Sequence, residues 1–454
     1  MPVRLIESLA TTAPLAEIFS DHSVLRAMLD FEMALARAEA RLNIIPQSAA
    51  DAIAQAAKAG DFDGATLAGA ALRAGTPAIP FVKALTERVR ASDSAAAGYV
   101  HWGATSQDLC DTALVLLLRQ TQSLLESDLD RLEQALFRLA EQHKDTVMLG
   151  RTLLQAAPPI TFGLKAAGWL GAVSRSHRRL ENGFQHSLVL QFGGASGTLA
   201  ALGEHGLAVA QSLATELRLT LPDAPWHTHR DRFAELVCTC GILCGSLGKI
   251  ARDISLLMQN EIAEAAEPSG AGRGGSSTMP HKSNPVGCTI TLAAAARVPS
   301  LVSSFLSSMV QEHERAAGGW QAEWSIISDV VGATGLAVAS MAEVADGLTV
   351  DAGQMRENIG ATRGSIFAER AMMLLGHKLG RDAAHKLLEE ATRRSVEQER
   401  NLSEVLGEMK EVKDHLGSVA LRDLAKPEQY LGSADEFRKR LLASASRKNP
   451  GGKE

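Results

Sequence analysis

Aromatic residues are scarce in this chain of 454 residues, where they make up 4% of the sequence and include two tyrosines. A β-sheet core draws on aromatic and β-branched side chains, so this shortage argues against a sheet-based core. Alanine and leucine instead recur at spacings of three and four residues, which is the period of an amphipathic helix. The sequence therefore predicts an all-α fold.

Cysteine is also sparse, and its five positions are odd in number and widely spread. This pattern excludes the dense disulfide framework of a small secreted protein, and we expect the thiols to be reduced. Three of them fall in an apolar helical stretch without CxxC spacing, which favours core thiols over metal ligands. No metal and no cofactor are expected. The five are Cys110, Cys238, Cys240, Cys244 and Cys288.

The chain has no excess of positive charge, since its formal net charge is -6. Nucleic acids and membrane surfaces attract strongly basic surfaces, so neither is an expected partner, and any basic region must be a pocket. The N-terminus does not resemble a signal peptide, and no stretch is predicted to span a lipid bilayer. We therefore expect a cytoplasmic protein.

Long apolar helical runs dominate the middle of the chain. After an amphipathic helix predicted at 23–42, the runs exceed the usual length of a globular helix, and several are apolar on more than one face. A single bundle would leave much of this surface exposed, so we expect it to pack against other subunits. The predicted domains are 1–110, 111–355 and 356–454, the last with a disordered tail. The runs are 114–143, 160–184, 197–217, 231–264, 285–315 and 325–348.

Four polar segments interrupt this helical background, and each is predicted at a helix end. Free N–H groups at helix N-termini bind anions, so the convergence of such segments predicts a carboxylate-binding site. A fifth polar stretch, 311–324, places Arg315 at the end of a long predicted helix. The four segments are HWGATSQD (101–108), GRTLLQ (150–155), QFGGASGT (191–198) and GSSTMPHKSNP (275–285).

Most of these segments also allow a purely structural interpretation. Thr105 and Asp108 can cap the following helix, and His101 can be a satisfied structural histidine. Arg315 can belong to a solvated ion-pair cluster with neighbouring glutamates. The glycines of 191–198 lack a preceding strand and a following lysine, so a nucleotide loop is not expected. Only the segment 275–285 has an order of residues that folding does not require.

The chain resembles the fumarase/aspartase superfamily over essentially its whole length. GSSTMPHKSNP fits the signature GSSxMPxKxNP, and GATSQDLCDTA and GRTLLQAA occur in the expected order. Within the superfamily, HWGATSQDLCDTA, PWHTHRDRFAEL and QEHERAAGGWQAEW look most like the cycloisomerases that close a carboxylated muconate into a lactone, with adenylosuccinate lyases as near neighbours. The resemblance implies a three-domain helical protomer and a homotetramer with active sites shared between subunits.

The resemblance also implies roles for individual residues toward a small tricarboxylate substrate. Ser276 matches the superfamily residue that handles the proton at carbon, and Lys282 would stabilise the charged form of that serine. These two are the expected catalytic residues. The expected substrate-binding residues are His101, Thr105, Ser106, Gln107, Arg151, Ser277, Asn284 and Arg315.

One departure from the superfamily pattern distinguishes the possible reactions. Most of these lyases read GRTH where this chain has Leu153, and the histidine helps to protonate the leaving group. Without it, expulsion of a strongly basic group would lose roughly 10²–10⁴-fold in rate. A ring closure avoids this loss, because its nucleophile is a substrate carboxylate with a pKa of about 4.

Two other functions remain open at this point. Adenylosuccinate or argininosuccinate lyase is the first, although Leu153 counts against both. Ser283 lies where adenylosuccinate lyases commonly carry arginine, which is a second argument against adenylosuccinate lyase activity. The second is a non-catalytic structural tetramer resembling the crystallins of this superfamily, whose signature loop would be free to change. Here Ser276, Lys282 and Asn284 are all retained.

Overall fold

The computed structural model describes residues 5–6, 9–58, 62–270, 273–275, 278–279 and 282–446. The described part contains eighteen α-helices and four short strands, which confirms the predicted all-α class. Ser276 and Ser277, together with the tail predicted to be disordered at 447–454, lie outside the described residues.

Five of the six long apolar runs expected from the sequence form long helices, whereas the run 197–217 is α-helical only over Gly206–Leu217. In chain order the helices are α1 (Ala13–Ile18), α2 (Asp21–Arg41), α3 (Gln47–Lys58), α4 (Gly64–Ala74), α5 (Ala78–Ser92), α6 (Ser106–Gln142), α7 (Phe162–Ser187), α8 (Gly206–Leu217), α9 (Asp231–Leu257), α10 (Val286–Ser308), α11 (Gly319–Asp346), α12 (Ala352–Ala361), α13 (Ala368–Leu379), α14 (Arg381–Glu397), α15 (Leu402–Glu408), α16 (Lys410–Lys413), α17 (Ser418–Leu424) and α18 (Ala434–Ser446).

Two predicted helices are too long at their C-terminal ends. The run 231–264 ends as α9 at Leu257. The run 285–315 ends as α10 at Ser308, because the Gln311 side chain donates to the Ser308 carbonyl oxygen at 3.2 Å. The returning chain also passes close to this end, since a Cβ on Gly319 would lie 2.9 Å from the same oxygen. Arg315 therefore lies in the connection between α10 and α11 and not at a helix end as predicted.

The chain divides into two compact units, each discontinuous in sequence. The first comprises residues 1–129, 176–248 and 290–339, and the second comprises 130–175, 249–289 and 340–454. All four strands belong to the second unit, as does an apolar core that joins the strand Val147–Thr152 to helices α12 to α17. The predicted domain boundaries near 110 and 355 stay a prediction.

A β-hairpin in the second unit was not predicted. Strand β1 (Val147–Thr152) pairs antiparallel with β2 (Gln155–Thr161), and Thr152 lies opposite Gln155. The remaining strands, β3 (Ala265–Ala266) and β4 (Thr349–Val350), form a second short pair. The segment GRTLLQ is thus the tip of a hairpin, and the expectation that it lies at a helix end is wrong.

The hairpin turn consists of two leucines in an unusual conformation. Leu153 and Leu154 have φ angles of +51° and +65°, the left-handed region that a two-residue type I′ turn requires and that Asn-Gly normally supplies. Each non-glycine residue there costs roughly 1–2 kcal/mol. Their side chains are 97% and 77% exposed, so no packing within the chain accounts for this cost.

Three described helices are long and apolar enough to cross a membrane by length and composition alone: α9, α10 and α11. The expectation that no stretch has these properties is wrong, because helices buried on several faces have the same composition as spanning ones. In the most apolar 18-residue segment of each helix, 61% of α9 and 67% of α11 is buried within the chain, whereas only 28% of α10 is buried. Helix α10 therefore presents much apolar surface outward.

Glu39 in α2 is a buried acid without a hydrogen-bond partner. Its side chain is fully buried, and neither carboxylate oxygen has a partner among the described residues. Burial, aided by the negative charge of Glu32, raises the pKa of Glu39 to about 9. The folded chain therefore holds a proton here that the unfolded chain releases above its ordinary pKa of 4.5.

Glu39→Gln should stabilise the protein at alkaline pH and change little at pH 5. Between pH 4.5 and about 9 the folded state binds more protons at Glu39, so its stability falls as pH rises. Glutamine removes this dependence, and we expect a gain of roughly 2–4 kcal/mol at pH 8. Thermal midpoints at both pH values would measure it, with exposed Glu357→Gln as control. An equal effect at pH 5 and pH 8 would contradict the assignment.

Candidate active site

The start of α6 is organised around the buried carboxylate of Asp108. Ser106 is the first residue of the helix, and the Thr105 backbone N–H donates to Asp108 Oδ2 at 3.1 Å. This is the reciprocal contact of a capping box, in which an acid in the first turn binds back to the N-cap backbone. The geometry supports the structural interpretation of Asp108 as a capping residue.

The glycine-rich segment 191–198 closes on the same carboxylate. The backbone N–H groups of Gly193 and Gly194 donate to Asp108 Oδ1 and Oδ2 at 3.0 and 2.9 Å. The imidazole of His227 lies 2.7 Å from Oδ1. A Cβ on Gly193 would approach Pro225 to 2.6 Å, and Gly194 has a φ of +69°. The loop that resembles a phosphate cradle thus holds an anion belonging to the protein itself.

A fully buried ion cluster lies one helical turn further along α6. The Arg230 guanidinium binds both oxygens of Asp111, at 2.7 and 3.1 Å, and donates through Nε to Glu323 at 2.9 Å. All three side chains are at most 1% exposed. Burial alone would lower the pKa of Arg230, but the two carboxylates outweigh it and raise that pKa. Burial raises the pKa of Glu323 to about 6 despite the attraction of Arg230.

Arg315 reaches the helix start from the connection after α10. Its Nη1 donates to Thr105 Oγ1 at 2.9 Å, and its guanidinium carbon lies 6.0 Å from the centre of the Trp320 ring. The Trp320 indole N–H in turn donates to Asp111 at 2.9 Å. Two of the predicted binding residues, Thr105 and Arg315, are therefore in direct contact, and the buried cluster orients the second of them through Trp320.

His101 is held by a buried acid on α2. Its Nδ1 lies 2.6 Å from Glu32 Oε1, and Glu32 is 1% exposed. Burial lowers the pKa of His101, yet the charge and hydrogen bond of Glu32 outweigh it and leave that pKa raised. Glu32 therefore favours the protonated imidazole of His101, whose positive charge would attract a ligand carboxylate.

The two polar residues after Thr105 occupy different environments. Ser106 is half-buried at the helix N-terminus. Gln107 is 1% exposed, and its amide donates to Asp111 at 3.1 Å and to the His227 carbonyl oxygen at 2.7 Å. Among described groups its Oε1 has no partner. The side chain of Gln107 thus joins the internal network, and its predicted contact with substrate stays a prediction.

In the second unit, the predicted binding residue Arg151 already has an acidic partner. At the end of β1 its two Nη atoms bind the Glu264 carboxylate at 2.8 and 2.7 Å, and Glu264 is fully buried. Asn358 donates to the same carboxylate at 2.8 Å. This bidentate pair fixes the base of the hairpin tip, so a ligand carboxylate would have to share the guanidinium.

The segment 275–285, which we call the signature loop, is held at its base by a backbone hydrogen bond between described residues. The Asn284 backbone N–H donates to the Gly274 carbonyl oxygen at 2.8 Å, and Gly274 adopts a φ of +71°. The Glu267 carboxylate accepts from the first N–H groups of α10 at 2.9 and 2.8 Å. Lys282 is exposed, and its ammonium group has no ion-pair partner in the part of the chain that the structure describes.

Several residues of this arrangement were not predicted from the sequence. The missed residues share one signal, which is a charged side chain within an apolar helical stretch or beside a buried tryptophan. When such a residue is buried, it must either be paired or lose its charge. The missed residues are Glu32, Asp111, His227, Arg230, Glu264 and Glu323.

The chain matches known proteins over nearly its whole length. A family model described as "Lyase" matches residues 8–300, and a second, described as "Adenylosuccinate lyase C-terminus", matches residues 364–441. A 3-carboxy-cis,cis-muconate cycloisomerase from Pseudomonas aeruginosa is 50% identical over 97% of this chain and 96% of that protein. A nitrosuccinate lyase from Streptomyces davaonensis is 41% identical over 98% of this chain and 96% of that protein.

A solved structure supports the same grouping. The 3-carboxy-cis,cis-muconate lactonizing enzyme from Pseudomonas putida superposes with a TM-score of 0.92 at 46% sequence identity. The match covers 98% of this chain and 99% of that one. Sequence and backbone therefore agree on one family along the whole chain.

Proposed function

Because this chain belongs to the fumarase/aspartase superfamily of lyases, we propose that it is a 3-carboxy-cis,cis-muconate cycloisomerase that forms 4-carboxymuconolactone. The observation that carries this proposal is the full-length similarity to proteins of that activity at up to 50% identity. In the reaction, a substrate carboxylate adds to an alkene carbon of the same molecule and a proton adds to the neighbouring carbon. We place the enzyme in the catabolism of protocatechuate, within the β-ketoadipate pathway and in the cytoplasm.

The hairpin tip is consistent with a ring closure. Leu153 occupies the position where most superfamily members carry an acidic histidine, and its exposed side chain cannot donate a proton. The carboxylate that attacks in this reaction is already ionised, so no acid is required on the oxygen side. Strained, exposed residues are concentrated at functional sites, which supports a role for this tip in a substrate pocket.

We assign the proton transfer to the signature loop. Ser276, or a water that it holds, would deliver the proton to carbon, and Lys282 and loop N–H groups would stabilise its charged form. Asn284 and Ser277 would orient a substrate carboxylate. Two observations support this assignment: Lys282 has no ion-pair partner among the described residues, and the Asn284 backbone N–H binds the Gly274 carbonyl oxygen across the base of the loop.

We assign carboxylate binding to the N-terminus of α6 and its neighbours. Thr105 and Ser106 present hydroxyl groups at a helix start, where the partial positive charge favours anions. Arg315 and a protonated His101 would add two cations, both already held by internal contacts. Holding both ends of one substrate in this way reduces the entropic cost of ring closure. Gln107 and Arg151 would complete the polar lining.

A homotetramer with active sites shared between subunits is our proposed assembly. The outward apolar surface of α10 supports it, because only 28% of its most apolar window is buried within the chain. An exposed apolar helix of this length would otherwise favour aggregation. The exposed leucines of the hairpin tip would then be covered by a partner subunit.

Other activities of the superfamily are distinguishable by their leaving groups. Adenylosuccinate and argininosuccinate lyases expel nitrogen groups that need a proton, which Leu153 cannot supply. Nitrosuccinate lyase is a stronger rival, because nitrite is a weak base and can leave unprotonated. A structural tetramer without activity is the remaining alternative.

One assay separates these functions. The purified protein is incubated with 3-carboxy-cis,cis-muconate while the loss of diene absorbance is followed, and in parallel with adenylosuccinate, argininosuccinate and nitrosuccinate. We expect turnover of the muconate alone. Stable diene absorbance with cleavage of another compound would refute the proposal, and no reaction with any compound would favour the structural tetramer.

Leu153→His should leave lactonisation no faster than in the unchanged protein. An added acid has no basic leaving group to protonate, and histidine tolerates the left-handed φ of this turn better than leucine does. The steady-state kcat/KM for the muconate measures the effect, and Leu154→His in the same turn is the control. A clear gain in kcat/KM confined to Leu153→His would show that an oxygen-side acid is limiting.

A further inference from the structure

A cavity lined by arginines lies within the first unit, outside the candidate active site. It has a volume of about 400 Å³ and is bounded by α2, α6 and the C-terminal end of α8. We call it the arginine cavity. Its basic side chains are Arg26, Arg37, Arg119 and Arg218.

The arginine cavity has more positive than negative charge. Its four arginines face two carboxylates, Asp30 and Glu216, so the lining has an excess of two positive charges when His22 is neutral. Glu216 pairs with Arg41, whereas Asp30 pairs with Arg26 at 3.2 Å and also attracts Arg37 and Arg119 over longer distances. The other three arginines have no carboxylate within ion-pair distance in the described part of the chain.

Arg119 is held in the cavity by the end of α8. Its Nη1 donates to the carbonyl oxygens of Leu217 and Arg218 at 2.7 and 3.1 Å, which caps the helix and fixes the guanidinium. Burial and the neighbouring charge of Arg218 lower the pKa of Arg119. Two like charges are therefore kept close together. Asp30 offsets part of their repulsion, and a bound anion would relieve more of it.

The cavity is separate from the residues around Asp108. On α2, the cavity residues Arg26, Asp30 and Arg37 recur at helical spacing, whereas Glu32, which binds His101, projects from a different face. On α6, Arg119 follows Asp108 by eleven residues, which corresponds to about 16 Å along the helix axis.

We propose that the arginine cavity binds a small polyanion that carries two or more carboxylate or phosphate groups. Guanidinium groups bind such groups through paired N–H donors, and the volume accommodates a molecule of the size of citrate. Arg37, Arg119 and Arg218, which have no carboxylate within ion-pair distance among the described residues, supply donors for at least two anionic groups. This site would be independent of the reaction proposed above.

Calorimetric titration of the intact protein tests the proposal. Citrate and inorganic pyrophosphate are the probes, at constant ionic strength, and we expect at least one to bind at the cavity with one site per chain. The double variant Arg37→Gln/Arg218→Gln should weaken that binding at least about tenfold, because two charge-assisted contacts are lost. Arg381→Gln, an exposed arginine of α14 without an ion pair in the described part of the chain, should bind as the unchanged protein does.

The pattern of losses identifies the ligand chemistry. Because citrate resembles the proposed substrate, it can occupy two sites, and the double variant should lose only one of them. A loss confined to citrate indicates a carboxylate ligand, and a loss confined to pyrophosphate indicates a phosphate ligand. Unchanged binding of both probes in the double variant overturns the proposal. Dissociation of the oligomer in size-exclusion chromatography also overturns it, since the arginines would then belong to a subunit contact. The single variant Arg218→Gln repeats the test if the double variant does not fold.

Discussion

Ser276→Ala should lower kcat/KM for 3-carboxy-cis,cis-muconate by at least about 10²-fold, the usual contribution of a positioned proton donor. The alanine variant keeps the backbone of the loop but cannot hand a proton to carbon or hold a water that does so. Substrate binding should suffer less, because the proposed carboxylate contacts at Thr105 and Arg315 are unchanged. The loss should therefore fall mainly on kcat.

The same loop supplies the control. Ser283→Ala removes an exposed hydroxyl one residue beyond Lys282, and it should retain most of the turnover. Size-exclusion chromatography and thermal midpoints of both variants would show that assembly and folding are intact. Equal turnover in Ser276→Ala and the unchanged protein would remove this serine from the mechanism.

The long helices were predictable because their signal is periodic and extends over many residues. The predicted start of α9 at residue 231 coincides with the observed start, and α2 differs from its prediction by two residues at the start and one at the end. Local contacts set the remaining ends. Helix α10 ends at Ser308 because of the Gln311 side chain and the close passage of Gly319, neither of which a hydrophobic period can reveal.

The hairpin was not predictable from local preferences. Its turn carries Leu153 and Leu154 where a type I′ turn favours Asn-Gly, and its second strand contains Pro158 and Pro159, which weaken a strand signal. Because the side chains of Leu153 and Leu154 are exposed, the conformation of this turn does not stabilise the single chain. The resemblance identified this segment as functional, whereas its shape required the structure.

The motif residues of the candidate site were predictable from the sequence, but the buried residues that hold them in place were not. Thr105 and Arg315 carry recognisable motif positions, and the structure brings their side chains to 2.9 Å. The residues that hold them, Asp111, Arg230 and Glu323, are distant in sequence and lie in apolar surroundings. Each charge alone predicts only that a partner exists, and the identity of that partner depends on tertiary packing.

Arg230→Met should destabilise the protein by about 3–5 kcal/mol at neutral pH, because it leaves two buried carboxylates without their cation. Methionine fills much of the same volume, so the loss is mainly electrostatic. Thermal midpoints at fixed protein concentration would measure it, since an oligomer's stability depends on concentration. Arg232→Met, two residues along α9, loses only a contact to the His186 carbonyl oxygen and is the control.

The pH dependence of this loss of stability shows whether Arg230 acts through its charge or through its packing. Without the guanidinium, the pKa of Glu323 should rise further above its unfolded value, starting from about 6. A carboxyl group with a raised folded pKa costs stability as pH rises, so the variant should be much less stable at pH 8 than at pH 5. Adding Asp111→Asn and Glu323→Gln removes both charges and should recover part of the loss at pH 8. If the single variant is equally destabilised at both pH values, packing around Trp226 and Phe233, and not the ion cluster, accounts for the role of Arg230.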